Sequence, residues 1–206
     1  MSRVGGYIFF TIRLLAVLLL SVCLSPLPDN RMPAVAPAVS NPGYLSLVIW
    51  KSRYTLTLYQ GELPVKTYRA VFGRGYRDGD KRRQGDKRTP EGDFYICTMI
   101  NSKRFNKFLG LSYPSLKHAD YGLQAGLISK REHGSIKTAL DARLQPPWET
   151  GLGGAVGIHG GMPDIPSLPL SLDILNWTDG CIALTDPDID ELFSIVTLGT
   201  PVRIVP

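Results

Sequence analysis

Two short segments near the start of the folded part, residues 44–50 and 53–59, are mostly apolar and rich in β-branched and aromatic side chains. That composition predicts strands, and Lys51-Ser52 between them predicts a hairpin. Gly61 then turns the chain into a third extended stretch at 63–72. Further strands are expected near 93–99, 111–113, 155–159, 181–184 and 201–205. One helix is well specified after residue 185: Asp186 as N-cap, Pro187 at the first helical position, acids at 188, 190 and 191, and Ile189, Leu192, Phe193 and Val196 as a one-sided apolar stripe. Residues 127–150 read ambiguously, although Ile136, Leu140 and Leu144 recur at helical spacing. The pattern as a whole predicts a mainly β domain with a few short helices.

The N-terminus reads differently. Arg3 and Arg13 precede an unbroken apolar run over 14–24, the arrangement of an export signal or, counted from Tyr7, of a marginal membrane anchor. Five prolines follow between 25 and 43, a density that keeps a chain extended and out of a central sheet. The expected organisation is therefore a signal or anchor at 1–24, a linker at 25–43 and one folded domain at 44–206, exported to the cell envelope and held there through the N-terminus if the segment is retained. A chain of 206 residues, 44% apolar, suits one core of that size.

The net charge of +5 is local: seven basic residues against three acidic ones between 74 and 88 account for +4 of it. This stretch is glycine-rich and has Tyr76 as its one aromatic residue, so it reads first as a solvated loop and second as a rim facing an anionic polymer. Nucleic acid is disfavoured, since no recognition helix or aromatic platform accompanies the charge. Cys97 lies in the alternating 93–99 strand and reads as a core residue, and a Cys97–Cys181 disulfide has no support from spacing. His118 and His133 have no motif around them and read as surface or loop residues; no closely paired metal ligands occur, so neither metal nor other cofactor is expected.

The chemistry concentrates at two glycine-rich turns twenty-two positions apart, Gly157-Ile158-His159-Gly160-Gly161 and Trp177-Thr178-Asp179-Gly180-Cys181-Ile182-Ala183-Leu184. An imidazole beside a thiol lowers the thiol pKa and supplies a base, and N–H groups of a tight turn can meet a developing oxyanion. Cys181 and His159 are thus the expected catalytic pair, with the Asp179-Gly180 turn in an orienting or oxyanion role. The ordinary alternative is that both are core residues.

These turns resemble the signature of the L,D-transpeptidase catalytic domain, the YkuD-type family. Gly85-Asp86-Lys87-Arg88-Thr89-Pro90-Glu91-Gly92, Leu111-Ser112-Tyr113-Pro114, Leu152-Gly153-Gly154 and Gly199-Thr200-Pro201-Val202-Arg203-Ile204 are similar to the family's other motifs, in order, over roughly 44–206. The resemblance implies a β-sandwich-like sheet fold with the cysteine on a loop. It also implies a peptidoglycan stem peptide as substrate, attack by Cys181 through a thioester acyl-enzyme, and a Gly160 carbonyl that orients the imidazole. Many members carry a His before the Gly-Cys pair and an Arg two residues after it, where this chain has Asp179 and Ala183. A branch reading Gly-Cys-Ile-Ala includes hydrolases of peptidoglycan links. Transpeptidase, peptide hydrolase and a non-catalytic cell-wall binding module all stay open on these residues.

Overall fold

The computed structural model describes residues 43–164 and 172–206; the expected signal or anchor at 1–24 and all but the last residue of the expected linker lie outside them. No helix among the described residues is long and apolar enough to cross a membrane. The described chain is mainly β. Its strands are β1 (Leu45–Trp50), β2 (Thr55–Gln60), β3 (Leu63–Arg69), β4 (Gly92–Ser102), β5 (Asn106–Leu111), β6 (Gly157–His159), β7 (Ile182–Ala183) and β8 (Pro201–Val205). They form one eight-stranded sheet in the order β3-β2-β1-β8-β4-β5-β6-β7.

The long strand β4 joins the two halves of this sheet. Its first residues, Gly92 to Tyr95, pair with β8, and Ile96 to Ser102 pair with β5, with a register shift between Ile96 and Thr98. A bulge of this kind bends a strand and sharpens its twist. Cys97 stands at that bulge and is half-buried, not a core residue as the alternation suggested, because the irregularity breaks the inward-outward count. Leu47, Ile49, Leu56, Ile96, Leu109, Ile158, Ile182 and Ile204 are all buried in the main core, against which Ile189 and Leu192 of helix α3 (Asp186–Ile195) also pack.

Several local expectations are corrected. The β1–β2 connection is a three-residue turn, Lys51–Arg53, closed by Tyr54 in the left-handed region. Lys51 is buried there, donating to the Tyr76 carbonyl at 3.1 Å and pairing with Glu91. The N-cap of α3 is Thr185, whose hydroxyl accepts from the Asp188 N–H, so Asp186 falls inside the first turn and Pro187 one place later than expected. Asp186 is displaced because its carboxylate has another use, accepting from the Gly161 N–H at 2.8 Å.

The ambiguous 127–150 stretch contains α2 (Lys130–Asp141), opened by a reciprocal capping box between Ser129 and Glu132. It ends before Leu144, which is exposed, because Arg143 turns left-handed. A helix that the sequence reading missed, α1 (Leu116–Gln124), packs on α2 around Ala119, Ile128, Ile136 and Leu152. His118 on α1 is buried, not on the surface or in a loop: Ser115 Oγ lies 2.7 Å from its Nδ1 and Asp80 Oδ1 3.0 Å from its Nε2, so the ring has polar partners at both ends. His133 sits on α2, partly exposed, 2.7 Å from Asp120.

Asp80 ties the 74–88 loop to α1. Burial alone would raise its pKa, but hydrogen bonds and charge from His118 and Lys117 and the Glu91 N–H hold it well below the ordinary carboxylate range. A carboxyl depressed on folding stabilises the fold above its unfolded pKa of about 3.9, and that contribution is lost as pH falls through the folded value. Asp80→Asn is expected to cost on the order of 2 kcal/mol at pH 7 and to flatten the acid limb of a stability–pH curve below about pH 4. Denaturant melts across pH 2–7 check this; an unchanged acid limb overturns it.

Candidate active site

Two glycine turns meet at the β6–β7 edge. The strands are parallel, with Ile158 beside Ile182 and His159 beside Ala183. Cys181, one residue before β7, is therefore diagonal to His159 and shares its face of the sheet. The turn carrying the cysteine is shaped by Thr178, whose hydroxyl donates to the Cys181 carbonyl at 2.7 Å and accepts from the Gly180 N–H at 3.2 Å. The Gly180 N–H is thus engaged, whereas among the described residues no hydrogen bond takes the N–H of Asp179 or Cys181.

Gly180 is required twice over. Its φ of +132° lies where side chains strain the backbone, and a methyl group there would stand 2.7 Å from the Arg88 carbonyl oxygen. The 74–88 segment therefore packs directly behind the Cys181 turn. Most of its charged side chains are exposed, as its charge suggested, but one is buried. Lys81 is buried within it, Nζ donating to Asp86 Oδ1 at 2.7 Å and to the Arg83 carbonyl at 3.1 Å, and it lies 3.8 Å from that same methyl position. Arg74 pairs with Asp179 across the rim, where both side chains are exposed.

His159 is almost fully buried, stacked on Phe105 with ring centroids 4.2 Å apart and flanked edge-on by Trp177 at 5.7 Å. Its Nδ1 lies 2.6 Å from the Gly160 carbonyl oxygen, a contact that sets Nδ1 as the N–H donor and leaves Nε2 as the free base. Asp186 and the Phe105 carbonyl clamp the following turn through the N–H groups of Gly161 and Gly160, at 2.8 and 3.0 Å.

The thiol and the imidazole are neutral in this arrangement. Burial pushes the Cys181 thiol up to about 11, against the opposing pull of the Gly157 N–H and the Lys81 charge. Burial also lowers the His159 pKa from its ordinary value, the Gly160 carbonyl working against that and the Arg104 charge with it. The sulfur donates to the Ala155 carbonyl at 3.6 Å, and no hydrogen bond joins it to His159. The lowered thiol pKa expected from the sequence is not found, because desolvation penalises both charged forms. Among the described residues Cys97 and Cys181 are both free cysteines, and burial holds Cys97 at about 12.

Sequence reasoning missed Lys81, Thr178 and Phe105. Lys81 was hidden in a run of like charges, and nothing in the local pattern separates a buried lysine from its exposed neighbours. Among the described residues no cluster of His, Cys, Asp and Glu could hold a metal ion.

The family model of the L,D-transpeptidase catalytic domain (YkuD) matches residues 45–204. No curated protein matches the chain. Similar solved structures include the helical cell shape determining protein Pgp2 of Campylobacter jejuni, at 18% identity and TM-score 0.51, covering 81% of this chain and 48% of that one. Bd1075 of Bdellovibrio bacteriovorus is similar at 20% identity and TM-score 0.48, with coverage of 79% and 48%. An L,D-transpeptidase fragment from Xylanimonas cellulosilytica is similar at 14% identity and TM-score 0.45, with coverage of 82% and 63%. At such identities the Pgp2 likeness is one of fold, and this chain spans about half the length of the Pgp2 and Bd1075 chains.

Because the thiol is neutral at rest, alkylation of Cys181 is expected to rise log-linearly from pH 6 to 9 without a plateau. Lys81→Met is expected to slow it several-fold at fixed pH, with Lys81→Arg restoring most of the rate. A plateau below pH 8 would show a preformed thiolate and overturn the neutral-pair description.

Proposed function

The chain belongs to the L,D-transpeptidase catalytic-domain family, and on that premise we propose that it is a cysteine-dependent acyltransferase acting on peptidoglycan stem peptides in cell-wall cross-linking or remodelling. The observation that carries the reading is the orientation of His159: Nδ1 is held by the Gly160 carbonyl at 2.6 Å, which leaves Nε2 as a base on the same sheet face as Cys181.

With a thiol near 11, the thiolate fraction at pH 8 is about one in a thousand, too little to serve as a standing nucleophile. The proton therefore leaves as the sulfur attacks. Cys181 Sγ forms a bond to the carbonyl carbon of the stem's L,D-peptide link while His159 Nε2 takes the thiol proton. The oxyanion of the tetrahedral intermediate accepts from the open Cys181 N–H, while the Gly180 N–H stays with Thr178 and holds the turn. Collapse breaks the C–N bond; the imidazolium returns its proton to the departing amine and a thioester remains. A second amine then attacks the thioester carbonyl and gives its proton to His159; the C–S bond breaks, the imidazolium passes that proton to the departing sulfur, and cross-linked product and free thiol remain.

Water in place of that amine would make the chain a peptide hydrolase. What favours this second reading is Ala183, fully buried beside Val71, where no cationic side chain is available to grip an acceptor. The expected location outside the cytoplasm rests on the apolar run at 14–24 and the proline-rich stretch after it.

Cys181→Ala is expected to abolish turnover and covalent adduct formation, and His159→Ala to lower the rate by on the order of 10²–10⁴. Cys97→Ala leaves turnover intact. Incubation with purified stem peptides, with and without excess acceptor amine, and mass analysis of the products decides the reaction. Cross-linked product that grows with amine supports transfer; cleaved product at a rate indifferent to amine assigns hydrolysis. An adduct at Cys97 in place of Cys181 removes the assignment altogether.

A further inference from the structure

The wall that backs the nucleophile turn also bounds a cleft of about 470 Å3, lined by Arg82, Arg83, Arg88, Asp78, Asp86 and Tyr121 among others. Its charge is less balanced than the residue list suggests. The Asp86 carboxylate is fully engaged: Oδ1 accepts from Lys81 Nζ at 2.7 Å and the Arg88 N–H at 3.1 Å, and Oδ2 from the N–H groups of Arg82 and Arg83 at 2.7 and 3.0 Å. A carboxylate has about four acceptor positions, and these four donors fill them. Asp86 therefore neutralises buried Lys81 and has nothing left for the guanidinium groups around it.

Those groups are correspondingly open. Among the described residues, Arg83 has no side-chain partner, and no ion pair joins Asp78 to Arg82, Arg83 or Arg88. Arg82 lies over the Tyr121 ring at 4.7 Å, a stacking that fixes the plane of the guanidinium and leaves its edge N–H groups exposed. Arg88 reaches one acceptor, the Asp80 carbonyl, at the long distance of 3.5 Å. Three guanidiniums facing one uncommitted carboxylate leave the cleft about two positive charges in excess, with planar donor forks that suit a carboxylate. Arg88 also links the cleft to the chemistry, since its carbonyl oxygen packs on Gly180 while its side chain lines the cleft.

We propose that this cleft is an anion subsite that holds a free carboxylate of the peptide whose acyl group reaches Cys181. The proposal rests on the stem-peptide reading above and adds to it the residues that grip the substrate. Arg82 and Arg83 are its principal donors, preorganised by the Asp86 knot beneath them. A phosphate would meet the same donors, and the test separates the two.

The test uses the full chain carrying Cys181→Ala, so that no turnover intervenes, and calorimetric binding of the tetrapeptide L-alanyl-γ-D-glutamyl-meso-diaminopimelyl-D-alanine. Its counterpart with amidated carboxylates and inorganic phosphate are the comparison probes. Arg82→Gln with Arg83→Gln is expected to weaken tetrapeptide binding roughly tenfold or more, whereas the amidated peptide binds both proteins weakly and alike. Arg83→Gln alone, which removes a side chain without partners, gives a smaller loss in the same direction and serves if the double variant fails to fold. Undiminished tetrapeptide binding in a folded variant, or equal binding of the amidated peptide to the parent chain, overturns the proposal. Tighter binding of phosphate than of tetrapeptide also overturns it, assigning the cleft to another ligand. Two outcomes separate this inference from the reaction itself. If the chain with Cys181 intact turns over no stem peptide yet the charge-dependent binding persists, the reaction falls and the subsite stands. If turnover proceeds with the same KM in the double variant, the subsite falls and the reaction stands.

Discussion

The close approach of two backbones, Gly73 to Gly180, is the constraint on which the site depends. A methyl group at Gly73 would stand 2.2 Å from the Lys87 carbonyl oxygen and 2.9 Å from the Gly180 Cα. Only with both positions bare can the 73–89 segment lie flat behind the cysteine turn, where the Arg74 N–H donates to the Thr178 carbonyl at 3.1 Å. The Asp86 carboxylate makes that approach stable, gathering three backbone N–H groups and one ammonium into a single knot. Its pKa falls below the ordinary value because those hydrogen bonds outweigh the burial that would raise it. A buried cation and a buried anion each cost several kcal/mol alone; joined and hydrogen-bonded they become tolerable. The same knot puts Lys81 beside the Cys181 turn and frees the neighbouring guanidiniums to face outward.

What the sequence disclosed follows the range of the forces involved. Strands β1 and β2 and helix α3 were legible because their signals are local: β-branched and aromatic side chains, a proline near the helix start, an apolar stripe. The junction role of β4 was not, since the bulge at Cys97 follows from competition between β5 and β8 for one strand. Helix α1 escaped notice because it buries few apolar residues of its own and leans on a polar contact, His118 to Asp80, that joins segments distant in sequence. The displaced N-cap of α3 has the same origin. Thr185 and Asp186 are both good caps, and the choice between them was made by the Gly161 N–H, twenty-five residues away in the chain.

At the site, which turns come together was more legible than their electrostatic state. The two glycine turns carried the positions of Cys181 and His159, and the family motifs strengthened them by their order. The state of the pair depends on how deeply both groups are desolvated, a property of Phe105, Trp177 and Ala155 arriving from elsewhere. The aromatic wall that lowers the His159 pKa also holds the ring still, so tautomer and orientation come from the same packing that removes water.

A neutral resting pair has a consequence for selectivity. A standing thiolate reacts with any electrophile that reaches it, whereas a thiol deprotonated only during attack needs the carbonyl, the base and the oxyanion donor aligned together. Here the sulfur rests on the Ala155 carbonyl, and on the proposed reaction it must turn away from it to attack. Losing that weak contact costs little, and the Ala155 backbone, at a φ of +52°, is itself held in the left-handed region next to the glycines that lead into β6. A substrate seated along that segment would displace the thiol from its resting acceptor and bring it toward His159 in one movement. On the proposed reaction the activation barrier would then be lowered by binding, and the part of the substrate remote from the reacting carbonyl would contribute to rate as well as to affinity.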